Sequence, residues 1–228
     1  MNQNIPTFRN GLFAALPIVM GYFPIAFSFG VAATRAGLSW GEAVMLSLVI
    51  YAGASQFFAL VLVTSGVPAL VAAFTLIAMN LRHLLYGPSL MKEAGKSASK
   101  RYAWIWAWGL TDEVFGQALG DLAKGKKFSE SYMFGLGLAA YAAWVGGTAT
   151  GAWAGGGALD GYPALSAGLG FMLTALFLAL LLSIISRAQL PVVVVATLAT
   201  VIGTITLSGT SGILAGMIFG ALAGVLRK

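Results

Sequence analysis

Apolar runs long enough to cross a bilayer recur from one end of this chain to the other, broken only by short polar segments. A lipid-spanning helix needs about 20 such residues. In hydrocarbon every backbone N–H and C=O must be satisfied within the protein, which leaves helices or closed barrels. The runs are continuous rather than alternating, so a barrel is excluded and the fold class is an all-α polytopic membrane protein. Composition agrees, with 59% of the 228 residues hydrophobic and 9% charged. Eight transmembrane helices are expected, over 10–34, 42–64, 68–91, 102–123, 129–155, 164–187, 190–207 and 210–226. The first run is too long for the apolar core of a signal peptide and is read as retained.

The chain has no Cys and a single His, which excludes disulfides, thiolate metal centres and a His-rich metal site, and no cofactor is expected. The formal net charge of +6 sits in short loops between apolar runs. There it sets topology and meets the lipid bilayer rather than nucleic acid. With the N-terminus inside, eight spans place Arg9, Lys124, Lys126, Lys127, Arg187, Arg227 and Lys228 inside, against Arg35, Lys92, Lys96, Lys100 and Arg101 outside. That balance barely favours one orientation.

An internal match organises the chain as a single transmembrane domain. "LSWGEAVMLSLVIYAGAS" at 38–55 aligns with "FSESYMFGLGLAAYAAWV" at 128–145, pairing Ser39 with Ser129 and Tyr51 with Tyr141. Two three-helix units are expected, at 8–96 and 97–187, followed by a C-terminal helical hairpin at 188–228. An odd number of spans per unit inverts the second in the membrane, the plan of many secondary transporters. "GYFP" at 21–24 and "GLTDE" at 109–113 interrupt the first helix of each unit, so Gly21, Pro24 and Gly109 are expected helix breaks around a mid-membrane cavity.

Ionisable groups inside spans are costly and usually functional. The deep ones are Arg82, His83, Asp112 and Glu113. Arg82, near the middle of its helix, requires an internal partner, and Asp112 or Glu113 can supply it. The two acids point about 100° apart on a helix, so one can face the arginine while the other takes up a proton. His83 is a second proton candidate or a packing residue. In "YAGASQF" at 51–57, Tyr51 and Ser55 share a face with Gln56 beside them, and Gly53 allows an unwound turn. With Asn80 these residues form either a packing seam or a substrate site. "WIWAW" at 104–108 reads as an interfacial belt, and "GGTATGAWAGGG" at 146–157 as close helix packing rather than a phosphate loop.

"YAGASQF", "NLRHLLYG" and "LTDEVF", in this order and spacing, resemble the large subunit of the AzlC-type branched-chain amino acid exporters. The similarity runs from about residue 8 to the C-terminus. It implies a multi-pass protein of the bacterial inner membrane and no enzyme. Such a protein would export small neutral amino acids such as valine, in some members methionine, with protons as the driving ion and a small AzlD-type membrane subunit as partner. In that setting Tyr51, Ser55, Gln56 and Asn80 are candidate substrate ligands, and Arg82, His83, Asp112 and Glu113 candidate proton-coupling or ion-pair residues. An uncoupled amino-acid channel and a permease subunit of a larger complex are the alternatives.

Overall fold

The computed structural model describes residues 5–95, 98–159 and 161–226, and among them every regular element is a helix. Lys96, Arg227 and Lys228 of the charge balance lie outside the described residues. Two compact units form, Met1–Leu173 and Thr174–Lys228.

The first unit is built on two long rods. α1 (Phe8–Ala14) starts from a capping box in which Asn10 Oδ1 accepts the Thr7 amide at 2.8 Å, and helical Ala15 carries it directly into α2 (Leu16–Arg35). The interruption expected at Gly21 and Pro24 is absent, because α2 continues through both. Proline removes one N–H and crowds the preceding turn, which bends a helix without ending it when packing holds the rest of the ladder. That packing comes from the second rod, α9 (Glu130–Gly155), whose 26 residues extend about 39 Å. The rods run in the same direction with glycines at their contact. A Cβ on Gly135 would overlap the Phe8 backbone, one on Gly147 that of Phe23, and one on Gly151 that of Phe27.

Position along α9 places the other helices. α3 (Trp40–Ile50) begins behind a Ser39–Glu42 capping box, and its Trp40 indole donates to the Ala149 carbonyl near the end of α9. It leads to Tyr51, which has a left-handed φ of 39° and packs edge-on against Tyr141, near the middle of α9. α4 (Gly53–Thr64) then returns along α3. The Gln56 amide donates to Ser47, and Leu60 joins Ala43, Phe29 and Ala152 in one apolar cluster. The expected span 42–64 is therefore two antiparallel helices of 11 and 12 residues. Each is about 16–18 Å long, roughly half the hydrocarbon thickness. Small Ala52 and Gly53 let the backbone reverse where one helix was expected.

α5 (Ala69–Asn80) packs antiparallel to α4, with Leu62 on Ala72 and Ser55 on Asn80. Leu81 and Arg82 keep helical dihedrals, so α6 (His83–Ala94) continues from α5, the two together covering the 26 residues Ala69–Ala94. α7 (Ala103–Trp106) starts at the opposite end of α9 from α3. The Tyr102 amide and the Trp106 indole donate to Glu130, its first residue, at 2.8 and 3.1 Å. The chain reaches Trp108, 5.1 Å from the Tyr141 ring, and Gly109 beside Gly137. α8 (Asp112–Ala123) then goes back, and its Asp121 accepts the Tyr132 hydroxyl at 2.5 Å. Lys124 to Lys127 share a groove with Pro6 and Thr7. The expected span 102–123 is thus also a folded-back pair. The two pairs enter from opposite ends of α9 and meet halfway, where Tyr51 stacks on Trp108 at 5.9 Å.

The matched segments 38–55 and 128–145 consequently adopt different structures, a folded-back pair and part of an unbroken rod. α10 (Pro163–Ile184) leads toward α11 (Leu190–Thr206) and α12 (Gly209–Leu226). Within the second unit α11 and α12 pair antiparallel through small residues, Gly203 facing Gly212 and Gly216 facing Thr200.

Candidate functional site

The helix ends that meet at mid-α9 surround a cavity of about 390 Å³. Its wall is apolar where Ile50, Leu84, Pro88, Trp104 and Leu110 line it, and polar at Tyr51, Asn80 and His83. Tyr51 is 5% exposed and its hydroxyl is buried, with no hydrogen-bond partner among the described residues. Its ring is held by Trp108 and Tyr141, so the hydroxyl's position is fixed by aromatic packing.

Beside the cavity, α8 opens with both acids. Thr111 caps it, its Oγ1 accepting the Val114 amide at 3.3 Å, and Asp112 and Glu113 fill the first turn, where negative charge complements the helix dipole. The acids take different partners. Asp112 Oδ2 meets Arg82 Nη2 at 2.8 Å, its other oxygen accepts the Tyr86 hydroxyl, and His83 Nε2 stands 4.0 Å away. Glu113 accepts the Tyr22 hydroxyl, which also lies 2.5 Å from Thr111 Oγ1. Among the described residues Glu113 makes no ion pair. The Arg82–Asp112 pair is about half-exposed, with side chains at 55% and 45%.

Tyr51, Asn80 and His83 line the cavity, while Arg82, Asp112 and Glu113 form an adjoining cluster. Ser55 donates to Asn80 Oδ1 at 3.0 Å and so braces a cavity residue. Gln56 lies elsewhere. It is fully buried, donates to Ser47 and accepts the Trp144 indole at 2.9 Å, while Ser47 bonds Thr148 at 2.6 Å. Its amide ties α3 and α4 to α9. Gly53 opens α4, and Gly109 lies in the unwound stretch before α8.

Sequence reasoning places Tyr86 on the Arg82 face of its helix by their i, i+4 spacing but missed its contact with Asp112, and it missed Tyr22, the hydroxyl on Glu113. A repeated Tyr-x-Pro could have found them, Tyr22-Phe23-Pro24 on α2 and Tyr86-Gly87-Pro88 on α6. It also assigned Trp108 to an interfacial belt, whereas that ring packs at mid-α9 between Tyr51 and Tyr141.

Two helices, Leu16–Arg35 and Ala69–Ala94, are long and apolar enough to cross a bilayer, and the helix ends between them bound a cavity of mixed polarity, the features of a helical membrane protein. The sequence model described as AzlC protein matches residues 17–157, and the chain belongs to the AzlC family. It is 43% identical over 222 residues to the inner membrane protein YgaZ of Escherichia coli K12, covering 97% of this chain and 91% of that one. An uncharacterized membrane protein of Archaeoglobus fulgidus is 41% identical over 77% of this chain and 74% of its own length. The branched-chain amino acid transport protein AzlC of Bacillus subtilis is 25% identical over 76% of this chain and 66% of its own. No solved structure matches significantly.

Proposed function

We propose that this chain is a secondary transporter of the bacterial inner membrane that exports branched-chain or other small neutral amino acids, such as valine or methionine, in exchange for protons. The observation that carries the reading is the cavity at mid-α9, where an apolar wall and a few polar groups meet between reversed helix ends. A zwitterion with an aliphatic side chain needs that mixture. The printed function of the Bacillus subtilis relative, branched-chain amino acid transport, supports the substrate class.

We infer further that α3–α4 and α7–α8 are half-membrane hairpins inserted from opposite faces. One spanning helix followed by one such hairpin, 8–64 and then 69–123, would form an inverted repeat, replacing the three-helix units. Charge supports this topology. With both pairs folded back, Arg9, Lys92, Lys100, Arg101, Lys124, Lys126 and Lys127 share one face of the first unit against Arg35 on the other. Basic residues mark the cytoplasmic side, so the N-terminus is inside.

Glu113 accepts the Tyr22 hydroxyl and has no cation partner among the described residues, so it is the acid not already committed to an ion pair. Asp112 already has Arg82. Glu113 is the proton carrier in this mechanism, and Asp112, held by Arg82 and Tyr86, positions the start of α8, with His83 within reach. The half-exposed Arg82–Asp112 pair cannot face hydrocarbon, and a small AzlD-type subunit or water is its cover. The test is labelled valine flux in proteoliposomes, with and without that subunit, under an imposed pH gradient. Uphill flux that collapses in Glu113→Gln supports coupling, whereas downhill flux indifferent to pH would make the chain a facilitator.

A further inference from the structure

We propose that the groove between the start of α1 and the turn joining α8 to α9 binds the headgroup of an anionic phospholipid. The ligand belongs to the membrane around the chain, so the site stands whichever solute is transported. The groove encloses about 940 Å³ beside the start of α9. The turn supplies three lysines in four residues, Lys124, Lys126 and Lys127, and no acid lines the groove among the described residues. Asp121, 4% exposed behind Tyr132, already holds Lys126 at 2.9 Å and accepts the Tyr132 hydroxyl. Lys124 and Lys127 make no ion pair among the described residues. Cations gathered on one turn repel one another, and an anion placed between them relieves that repulsion. The facing wall adds a neutral donor. The Thr7 amide donates to Asn10 Oδ1 at 2.8 Å, which fixes that oxygen as the acceptor and leaves the Asn10 NH2 group without a partner among the described residues.

A phosphate by itself would account for the lysines and not for the rest of the groove. The inner part of its wall is apolar, formed by Phe13, which is 56% exposed, and Ala14. Arg9 lies over the Phe13 ring at 5.4 Å and adds a cation beside it. Thr7 to Phe13 covers about 9 Å along a helix, and the polar layer on each side of the hydrocarbon is about 5–7 Å thick. The apolar span begins at Leu16. The lysines, Thr7 and Asn10 therefore stand at headgroup depth and Phe13 at the acyl boundary. A zwitterionic lipid offers the lysines no net charge, and a soluble phosphate offers Phe13 nothing. An anionic phospholipid carries both parts in the order the groove presents them.

The test uses the full chain purified in a neutral detergent at about 0.15 M salt, where charges far from the groove are screened. Affinity is read from the rise in melting temperature on titration. The ligands are dioctanoyl phosphatidylglycerol, the phosphatidylcholine of the same chain length, and glycerophosphoglycerol, the soluble headgroup without acyl chains. Phosphatidylglycerol should bind far more tightly than either of the others. Each lysine near the headgroup is worth about fivefold, so Lys124→Gln combined with Lys127→Gln should weaken phosphatidylglycerol about 30-fold. Lys100→Gln combined with Arg101→Gln removes the same charge at the same end of α9, where Ser99 and Tyr102 bond Glu130, but outside the groove. It should leave the affinity nearly unchanged. Equal losses in the two double variants would show the lipid responding to the overall charge of that face and would overturn the site. Phosphatidylcholine binding as tightly as phosphatidylglycerol would overturn it too. Glycerophosphoglycerol binding as tightly as the lipid would make the groove a site for a soluble phosphate and refute the lipid assignment.

Discussion

Tyr51 and Gln56 are five residues apart in one motif, yet the structure gives them opposite circumstances. The Tyr51 backbone is left-handed, a conformation that costs a residue with a Cβ about 1–2 kcal/mol, and its hydroxyl has no partner among the described residues. Gln56 is 0% exposed, with its amide oxygen and nitrogen both engaged. A residue whose polar atoms are already spent inside the protein has none left for a ligand. Gln56→Ala should therefore act through stability, since it strands the Trp144 indole and leaves the Ser47 hydroxyl with Thr148 alone, at a cost of about 1–3 kcal/mol. The expected outcome is a lower melting temperature in detergent with unchanged valine affinity in the fraction that stays folded. A lost affinity at an unchanged melting temperature would put Gln56 back in the substrate site. Sequence alone could not separate the two residues, because a small-residue seam and a binding face present the same Tyr, Ser and Gln spacing.

At the scale of elements, hydropathy located nearly every helix and misjudged two. A mostly apolar run of about 20 residues satisfies the spanning criterion whether it crosses once or goes halfway and returns. What separates them is the turn. Tyr51-Ala52-Gly53 and Trp108-Gly109 each set an aromatic residue before small ones, and the two aromatic rings stack where the reversals meet. Pro24 misled in the other direction, because α2 is held helical by the glycine contacts of α9. The half-membrane reading is directly measurable, as the chain has no native Cys to remove. Single cysteines at Ala36, Ser65, Ala98 and Lys127 should react with an impermeant thiol reagent in two groups. Ala36→Cys and Ser65→Cys are expected to label from outside, Ala98→Cys and Lys127→Cys only from inside. Eight spans predict the reverse for Ser65→Cys and Ala98→Cys, so those two positions decide between the topologies.

On the scale of the first unit, the parallel rods α1–α2 and α9 form a frame, and the folded-back pairs hang on it from either end. The alternating access proposed above would need such a division, with one part rigid enough for the other to rock against. The frame's rigidity resides in its glycines, because only where no Cβ intervenes can two backbones come this close. Adjacent residues of α9 provide an internal control. A Cβ on Gly147 would stand 2.6 Å from the Phe23 carbonyl oxygen and 2.9 Å from the Ala26 Cβ, whereas one on Gly146 meets nothing within 4 Å. Both substitutions by alanine raise helix propensity by a similar amount, on the order of 1 kcal/mol in water. Gly146→Ala should leave the melting temperature equal or raised. Gly147→Ala must push α2 off α9 and should lower it by several degrees, with valine flux falling in step. If flux fell while the melting temperature held, the α2–α9 contact would belong to the moving part of the transporter, and the frame would have to be sought elsewhere.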